Sequence, residues 1–416
     1  MSGEQVFRSV MCLGCGCGCD DLEVRVQDGR IVGLAPPCPI AKRWFGDGSA
    51  TAEIRVEAEP ATLERAIDGA ASLLVAAARP MVLLAPDLTS RAQRRAIALG
   101  DALHAEVDGA TSETAAAGIL AAQRRGRAGA TLGEIRNRAD VILFWGVDPR
   151  ERYPRFLERY AAASAASHTT SRTHLSVSVG SDRGPTKAAL VAELPPEVEL
   201  EALAVMRAVV RGQALEGVPD ALRPVVAIAE RLLQGRYVAI VYDAEPGQNP
   251  RDDQRADSLI ALAQMLNGPT RAMLAGLRAG GNRSGAEAAL TWQTGYPMRV
   301  SLREGHPRYR PGRSAMELLR DGGADAVLVA GAASSLGPLP LASVPSVLIG
   351  PGASAVAGAR VAIDTGVAGI HESGTGYRMD DVPLPLTAVL AHPRPADESL
   401  ELLLRAIRRR AVRDER

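Results

Sequence analysis

The sequence predicts an α/β protein of doubly wound parallel sheets with a small N-terminal β-rich cysteine module. Three observations carry this. From about Thr51 onward, short apolar runs alternate with amphipathic segments, which is the sequence form of βαβ units. All five cysteines fall between Cys12 and Cys38, ahead of that pattern. Aromatic residues are only 3% of the chain, so the core must be built from Ala, Gly and aliphatic side chains at close backbone distances. That suits helices laid on a parallel sheet.

At 416 residues the chain exceeds the roughly 250–300 residues at which single cores stop growing, so it should divide. The sequence suggests a cysteine module over 1–50, α/β segments over 51–180, 181–325 and 326–395, and a C-terminal basic helix over 396–416. The start of the chain, from Met1 to Val10, carries Glu4 and Arg8 and no apolar run of the signal-peptide kind, which predicts a cytoplasmic location. Lys plus Arg and Asp plus Glu both total 48, so no net field draws the chain to nucleic acid or an acidic membrane. Apolar stretches such as Ala70 to Ala78 are broken by Arg79 and Pro80 well short of the roughly 20 residues a membrane-spanning helix needs.

In chain order, Leu22 to Val26 alternates, Asp28-Gly29 is a turn and Ile31-Val32 resumes the pattern, which together predict a β-hairpin. Buried strands are expected at Met81 to Ala85, Val141 to Trp145, Tyr237 to Val241 and Ala326 to Ala330. Helices are expected over Arg91 to His104, Val198 to Arg211 and Asp252 to Leu266, where charges line one side and apolar residues the other. The tail predicts a helix through Ile407 whose end carries Arg408, Arg409 and Arg410, cations that complement its dipole.

Two post-strand loops, Gly146-Val147-Asp148-Pro149 and Gly331-Ala332-Ala333, sit where open α/β sheets bind ligands. The simpler reading is that each glycine lets the chain turn, since neither loop has the full dinucleotide-binding spacing.

The cysteine loop is the most specific chemical feature. Cys12-x2-Cys15-x3-Cys19 with Cys38 beyond the hairpin supplies four thiolates, the set a [4Fe–4S] cluster requires, and leaves Cys17 spare. Zinc is the rival, although its usual two Cys-x2-Cys pairs are not both present, and a relic without metal is the third reading. None of the six histidines, His104, His168, His174, His306, His371 and His392, falls in a metal-binding motif, and no serine sits in a nucleophile elbow.

Cys12-x2-Cys15-x3-Cys19-Asp20-Asp21-Leu22-Glu23-Val24 resembles the start of molybdopterin oxidoreductases, most closely the B subunit of formylmethanofuran dehydrogenase. Further segments resemble that protein in the same order. They are Asn137 to Ile142 with Trp145-Gly146 and Tyr153-Pro154-Arg155-Phe156, Leu290-Thr291-Trp292-Gln293-Thr294-Gly295-Tyr296-Pro297 with His306 to Tyr309, and Gly369 to Asp380 with Val382-Pro383.

The resemblance implies an iron–sulfur module in front of α/β domains that hold a molybdopterin cofactor with molybdenum or tungsten. The catalytic metal would be ligated by a cysteine or selenocysteine beside a histidine. The matching segment here, Val107 to Ala116, places Thr114 and Ala115 at those positions, and no cysteine follows Cys38. A hydroxyl is a hard, poor ligand for such a metal and alanine is none, so molybdenum or tungsten is not expected. Gly146, Asp148, Gly331, Gln293 and Arg378 are the residues expected to line a vestigial pterin cleft, with His306, Arg308 and Glu372 nearby.

A degenerate relative of this kind resembles the B subunit of the bacterial formyltransferase/hydrolase complex, with formyltransferase, amidohydrolase-like and β-helical subunits as partners. The expected function is therefore a non-redox subunit in tetrahydromethanopterin-linked one-carbon metabolism. The alternatives are an active molybdenum or tungsten dehydrogenase subunit and a [4Fe–4S] electron-transfer module.

Overall fold

Four sheets organise the chain in a computed structural model that describes residues 3–163, 171–245, 252–341 and 343–414. Strands Gln5–Val10, Leu22–Gln27 and Arg30–Ala35 form an antiparallel sheet, of which the sequence pattern revealed only the last two. The turn between those two is Asp28-Gly29, both residues with positive φ (51° and 72°), the conformation that matches a tight hairpin to strand twist. Alternation holds on Leu22–Gln27, with Leu22, Val24 and Val26 buried.

The linear partition expected from the sequence is replaced by an insertion. One unit comprises residues 1–113 and 280–416, and the other residues 114–279. The reason is strand order. In the first unit the central parallel strands run Glu106–Gly109, Pro80–Leu84, Ala326–Ala330, Ser346–Gly350 and Val361–Asp364 across the sheet. Pro80–Leu84 is therefore hydrogen-bonded to a strand almost 250 residues later, and a boundary at 325 would cut the sheet through its middle. Short antiparallel strands extend both edges of the sheet.

Successive residues of its strands are buried on opposite faces. Val82, Leu84, Leu328, Ala330, Val347 and Ile349 meet helices Leu63–Val75, Ser90–Ala102 and Ala396–Asp414 in one core. Met81, Leu83, Val327, Val329 and Leu348 meet helix Ala315–Arg320 in another. Ala66, Ala70, Ala71, Ala92 and Ala96 form much of the helical side, so the low aromatic content shows up as close helix-to-sheet packing.

The 114–279 unit is a five-stranded parallel sheet in the order Leu190–Leu194, Thr173–Val179, Val141–Trp145, Val238–Asp243, Ala272–Leu277. Helices Glu199–Val210, Arg223–Leu233 and Asp252–Leu266 contribute to its core. The architecture is thus the α/β class expected, with a small β-rich N-terminal module.

The C-terminal helix differs from expectation. It does not end in the arginine triad but runs on from Ala396 to Asp414. Arg410 lies inside it and bonds Asp68 (2.5 Å) and Ser72 (2.9 Å) of the Leu63–Val75 helix, so at least this arginine fastens two helices rather than complementing a helix end. Among the described residues no helix is long and apolar enough to cross a membrane.

Candidate functional site

In the 1–113/280–416 unit, strand order reverses direction between Pro80–Leu84 and Ala326–Ala330, the crevice at which open α/β sheets receive ligands. The cysteine loop is tied to this place. After Pro80–Leu84 the chain turns through Pro86, whose carbonyl accepts the Asn282 N–H. One residue earlier, the Gly281 N–H donates to the Leu13 carbonyl (2.7 Å). A Cβ at Gly280 would strike the Leu13 and Gly14 carbonyls, and one at Gly281 would strike Pro86, so only glycines allow this stack.

Asn282 is fully buried and locks the stack. Its amide donates to the Leu88 carbonyl (3.0 Å) and Ser90 Oγ (3.1 Å), while its Oδ1 accepts the Tyr377 N–H (2.7 Å). The sequence reading missed Asn282. A Gly-Gly-Asn turn signal was available, but the groups it bonds lie almost 200 residues earlier and 95 later, beyond any local pattern.

On its other side the loop meets the C-terminal motif. The Met379 N–H donates to the Gly16 carbonyl (3.0 Å). Gly18, at φ +50°, leaves room for the Arg378 stem, since a Cβ there would lie 3.0 Å from Arg378 Cγ. Arg378 is itself held by a two-point bond to Asp380 (2.7 Å each), so its guanidinium is engaged.

Within the loop, Cys12, Cys17, Cys19 and Cys38 are buried and Cys15 is half-buried. The Gly14 N–H donates to Cys12 Sγ (3.3 Å), and the Cys12 N–H closes the loop on the Cys19 carbonyl (2.8 Å). Burial pushes the Cys12 thiol well above the usual range, and negative charge on Cys15, Cys19 or Cys38 would push it further. The Cys17 side chain hydrogen-bonds the Cys15 sulfur and holds its thiol below the usual range. Cys38 immediately precedes helix Pro39–Phe45, which lies against the loop: a Cβ at Gly14 would be 3.0 Å from Ile40 Cγ2 and 3.1 Å from Trp44 Cβ. The indole N–H of Trp44 is buried without a partner, a state that costs about 1–3 kcal/mol when no acceptor is supplied.

Cys15, Cys19 and Cys38 thus lie near enough for their charge to act on Cys12, with the Gly14 N–H of the loop and the unpartnered Trp44 indole of the Pro39–Phe45 helix as donors beside them. This is a donor set that fits a thiolate-ligated group. Among the described residues no three His, Cys, Asp or Glu side chains are arranged around one ion position.

The residues expected to line a pterin cleft are divided between the two units. Gly331 (φ +95°) is hemmed in: a Cβ would be 2.7 Å from Ala85 Cβ and 2.9 Å from Asp87 Oδ1. Asp87 is buried and accepts the Ala332 N–H on both oxygens (2.9 and 3.0 Å), and burial raises it to about 6. The backbone donor that a phosphate would use is therefore already taken. Gln293 is exposed, its Nε2 reaching only the Arg94 carbonyl at 3.5 Å. His306 and Arg308 are exposed, and Arg308 pairs with Glu304 (2.6 Å). Glu372 accepts the Thr89 hydroxyl (3.1 Å) and the Ala396 N–H (2.9 Å), a structural clasp on the C-terminal helix.

In the 114–279 unit the order reverses between Val141–Trp145 and Val238–Asp243. Gly146, at φ +59°, is covered by Asp182 and Arg255. Arg255 bonds Glu199 (2.5 Å) and Asp182 (2.7 Å), and the Trp145 Nε1 donates to the same Glu199 (2.8 Å). Asp148 caps the short helix Pro149–Arg152 by accepting the Arg150 N–H (3.1 Å) and pairs with the Arg150 guanidinium. Across the switch point Asp243 meets Arg152 and the Tyr153 hydroxyl (3.2 Å), and burial raises its carboxyl to about 6. His168 lies outside the described residues.

A doubly wound α/β protein whose cysteine loop is docked at a switch point is the class this geometry defines. No family model matches the chain. It is 31% identical over 434 aligned positions to the B subunit of the tungsten-containing formylmethanofuran dehydrogenase 2 of Methanocaldococcus jannaschii, covering 97% of this chain and 99% of the relative. The protein of the same description from Methanococcus maripaludis is 29% identical over 430 positions, with the same coverage. Among solved structures it is similar to a chain of the formyltransferase/hydrolase complex FhcABCD from Methylorubrum extorquens, solved with methylofuran, at TM-score 0.74 and 26% identity over 86% of this chain and 99% of that chain. The chain belongs to the family of formylmethanofuran dehydrogenase B subunits.

Proposed function

We propose that this chain is a non-redox subunit of a formyltransferase/hydrolase complex, acting in the cytoplasm in the tetrahydromethanopterin-linked conversion of formaldehyde to formate. Its partners in that assembly are a formyltransferase, an amidohydrolase-like subunit and a β-helical subunit. The observation that carries the reading is the absence of any cysteine after Cys38, with Thr114 and Ala115 at the positions where the family's resemblance expects a metal ligand and its histidine. The likeness to a chain of the Methylorubrum complex supports it. So does the state of the two switch-point glycines. Asp87 already occupies the Ala332 N–H beside Gly331, and Asp182 with Arg255 covers Gly146, which leaves little there for an anionic pterin.

In this reading Cys12, Cys15, Cys19 and Cys38 hold a [4Fe–4S] cluster as a structural staple. A cubane distributes its thiolates one per iron, so it does not call for ligands converging on a single ion as zinc does. When bound, the cluster supplies cross-links between the loop and the Pro39–Phe45 helix. The chain's own residues shield it, through Met11, Leu13 and the C-terminal motif.

The second reading, an active tungsten-dependent dehydrogenase subunit, is favoured by the description of the two methanogen relatives. Elemental analysis of the protein purified anaerobically from its native host separates the two. About four irons per chain, no molybdenum or tungsten, and co-purifying formyltransferase support the proposal. Stoichiometric molybdenum or tungsten overturns it.

A further inference from the structure

Trp44 is one of three tryptophans, and its surroundings single it out. Its side chain packs against the apolar cluster of Met11, Leu13, Ala368 and Leu386, so it sits among the residues that flank Cys12 in sequence. Its Cβ is in close range of the space above Gly14, the residue whose N–H already points at Cys12 Sγ. The indole N–H is buried and has no acceptor. Nearby loop carbonyls are engaged, Leu13 by the Gly281 N–H and Gly16 by the Met379 N–H. Trp44 as a whole is half-buried, whereas the fully buried Trp145 has its N–H satisfied by Glu199, which is the usual fate of a buried indole N–H. The Trp44 indole N–H is thus a buried donor without an acceptor, on a side chain whose Cβ packs against the cysteine loop at Gly14.

We propose that the Trp44 indole N–H donates a hydrogen bond to a sulfur of the iron–sulfur cluster held by Cys12, Cys15, Cys19 and Cys38, and thereby raises the reduction potential of that cluster. The inference rests on the reading that these cysteines hold a cluster. The physical basis is that a donor at sulfur disperses the extra negative charge of the reduced state, so the reduced form gains more than the oxidised one. Trp44 is a positioning and tuning residue and not a cluster ligand.

The test uses the full chain loaded anaerobically with iron and sulfide, titrated potentiometrically with the reduced cluster followed by electron paramagnetic resonance. Trp44→Phe is expected to load as much iron as the unaltered protein and to show a more negative midpoint potential, with Trp44→His recovering part of the shift. Equal iron with an unchanged potential overturns the inference while leaving the cluster reading intact. No iron in the unaltered chain overturns the cluster reading, and the inference with it.

Should Trp44→Phe fail to load, the unaltered protein carrying 15N-labelled indoles decides. The Trp44 N–H resonance is expected to shift or broaden on cluster loading and the Trp145 and Trp292 resonances to stay put. A Trp44 resonance that does not respond overturns the assignment.

Discussion

The two large sheets, one in each unit, obey the same topological rule and cover their switch points by different physics. Beside Gly331, at the end of Ala326–Ala330, the cover is Asp87, a buried carboxylate that bonds the Ala332 backbone N–H and has no cationic partner among the described residues. Beside Gly146, at the end of Val141–Trp145, the cover is Asp182, whose charge is met by Arg255 in a cluster that also includes Glu199 and the Trp145 indole. One site is closed by backbone packing and a costly lone carboxylate, the other by ion pairing inside the core. The lesson is that a glycine after a strand marks a turn, while what fills the space above it is set by residues distant in sequence.

The contrast should break most visibly at Arg255. Arg255→Met leaves Glu199, which is fully buried, without its cation, and removing one partner of a buried pair costs about 3–5 kcal/mol. Urea unfolding should show that loss. Combining it with Glu199→Gln should return part of it, and an additive double variant would mean the two side chains do not depend on each other.

A smaller effect separates the two glycines. Both need positive φ, which costs an ordinary residue roughly 1–2 kcal/mol. Gly331→Ala also drives its Cβ to within 2.7 Å of Ala85, whereas the nearest atom to a Cβ at Gly146 is 3.3 Å away. Gly331→Ala is therefore expected to lose about 3 kcal/mol and Gly146→Ala about 1–2 kcal/mol. Equal losses in thermal or denaturant unfolding would remove the distinction.

The subtlest difference is in pH dependence. Burial raises Asp87 from an ordinary 3.8 to about 6 in the folded protein, so the folded state favours its protonated form. The stabilisation this represents is complete below the unfolded value near 3.8 and is lost as pH rises through about 6. A shift of this size corresponds to about 3 kcal/mol at most. Asp87→Asn removes this titrating carboxyl, so the difference in stability between variant and unaltered protein should change with pH between about 4 and 6 and be flat above that. Asp108 and Asp243, also raised to about 6 by burial, remain in both proteins and cancel from the difference. A pH-independent difference would show that Asp87 is not strained by its burial.

Local pattern determined a good deal of this protein. Period-two alternation and an Asp-Gly pair made the hairpin legible, and unbroken apolar runs located Val141–Trp145 and Ala326–Ala330 to the residue, because a strand buried on both faces has no other sequence form. Helix Asp252–Leu266 was readable from its spacing, and the grouping of five cysteines set the N-terminal module apart from the rest of the chain.

The tertiary structure decided what the pattern does not encode. It made residues 114–279 an insertion, because pairing of Pro80–Leu84 with Ala326–Ala330 depends on which strands meet across a sheet. It also used Asp148 as a helix cap and engaged Arg378 with Asp380 beside the cysteine loop. Asn282 and Trp44 were invisible as site residues for the same reason. Hydrogen bonding and burial are properties of neighbours in space, and the neighbours that give these two side chains their significance come from segments that only folding brings together.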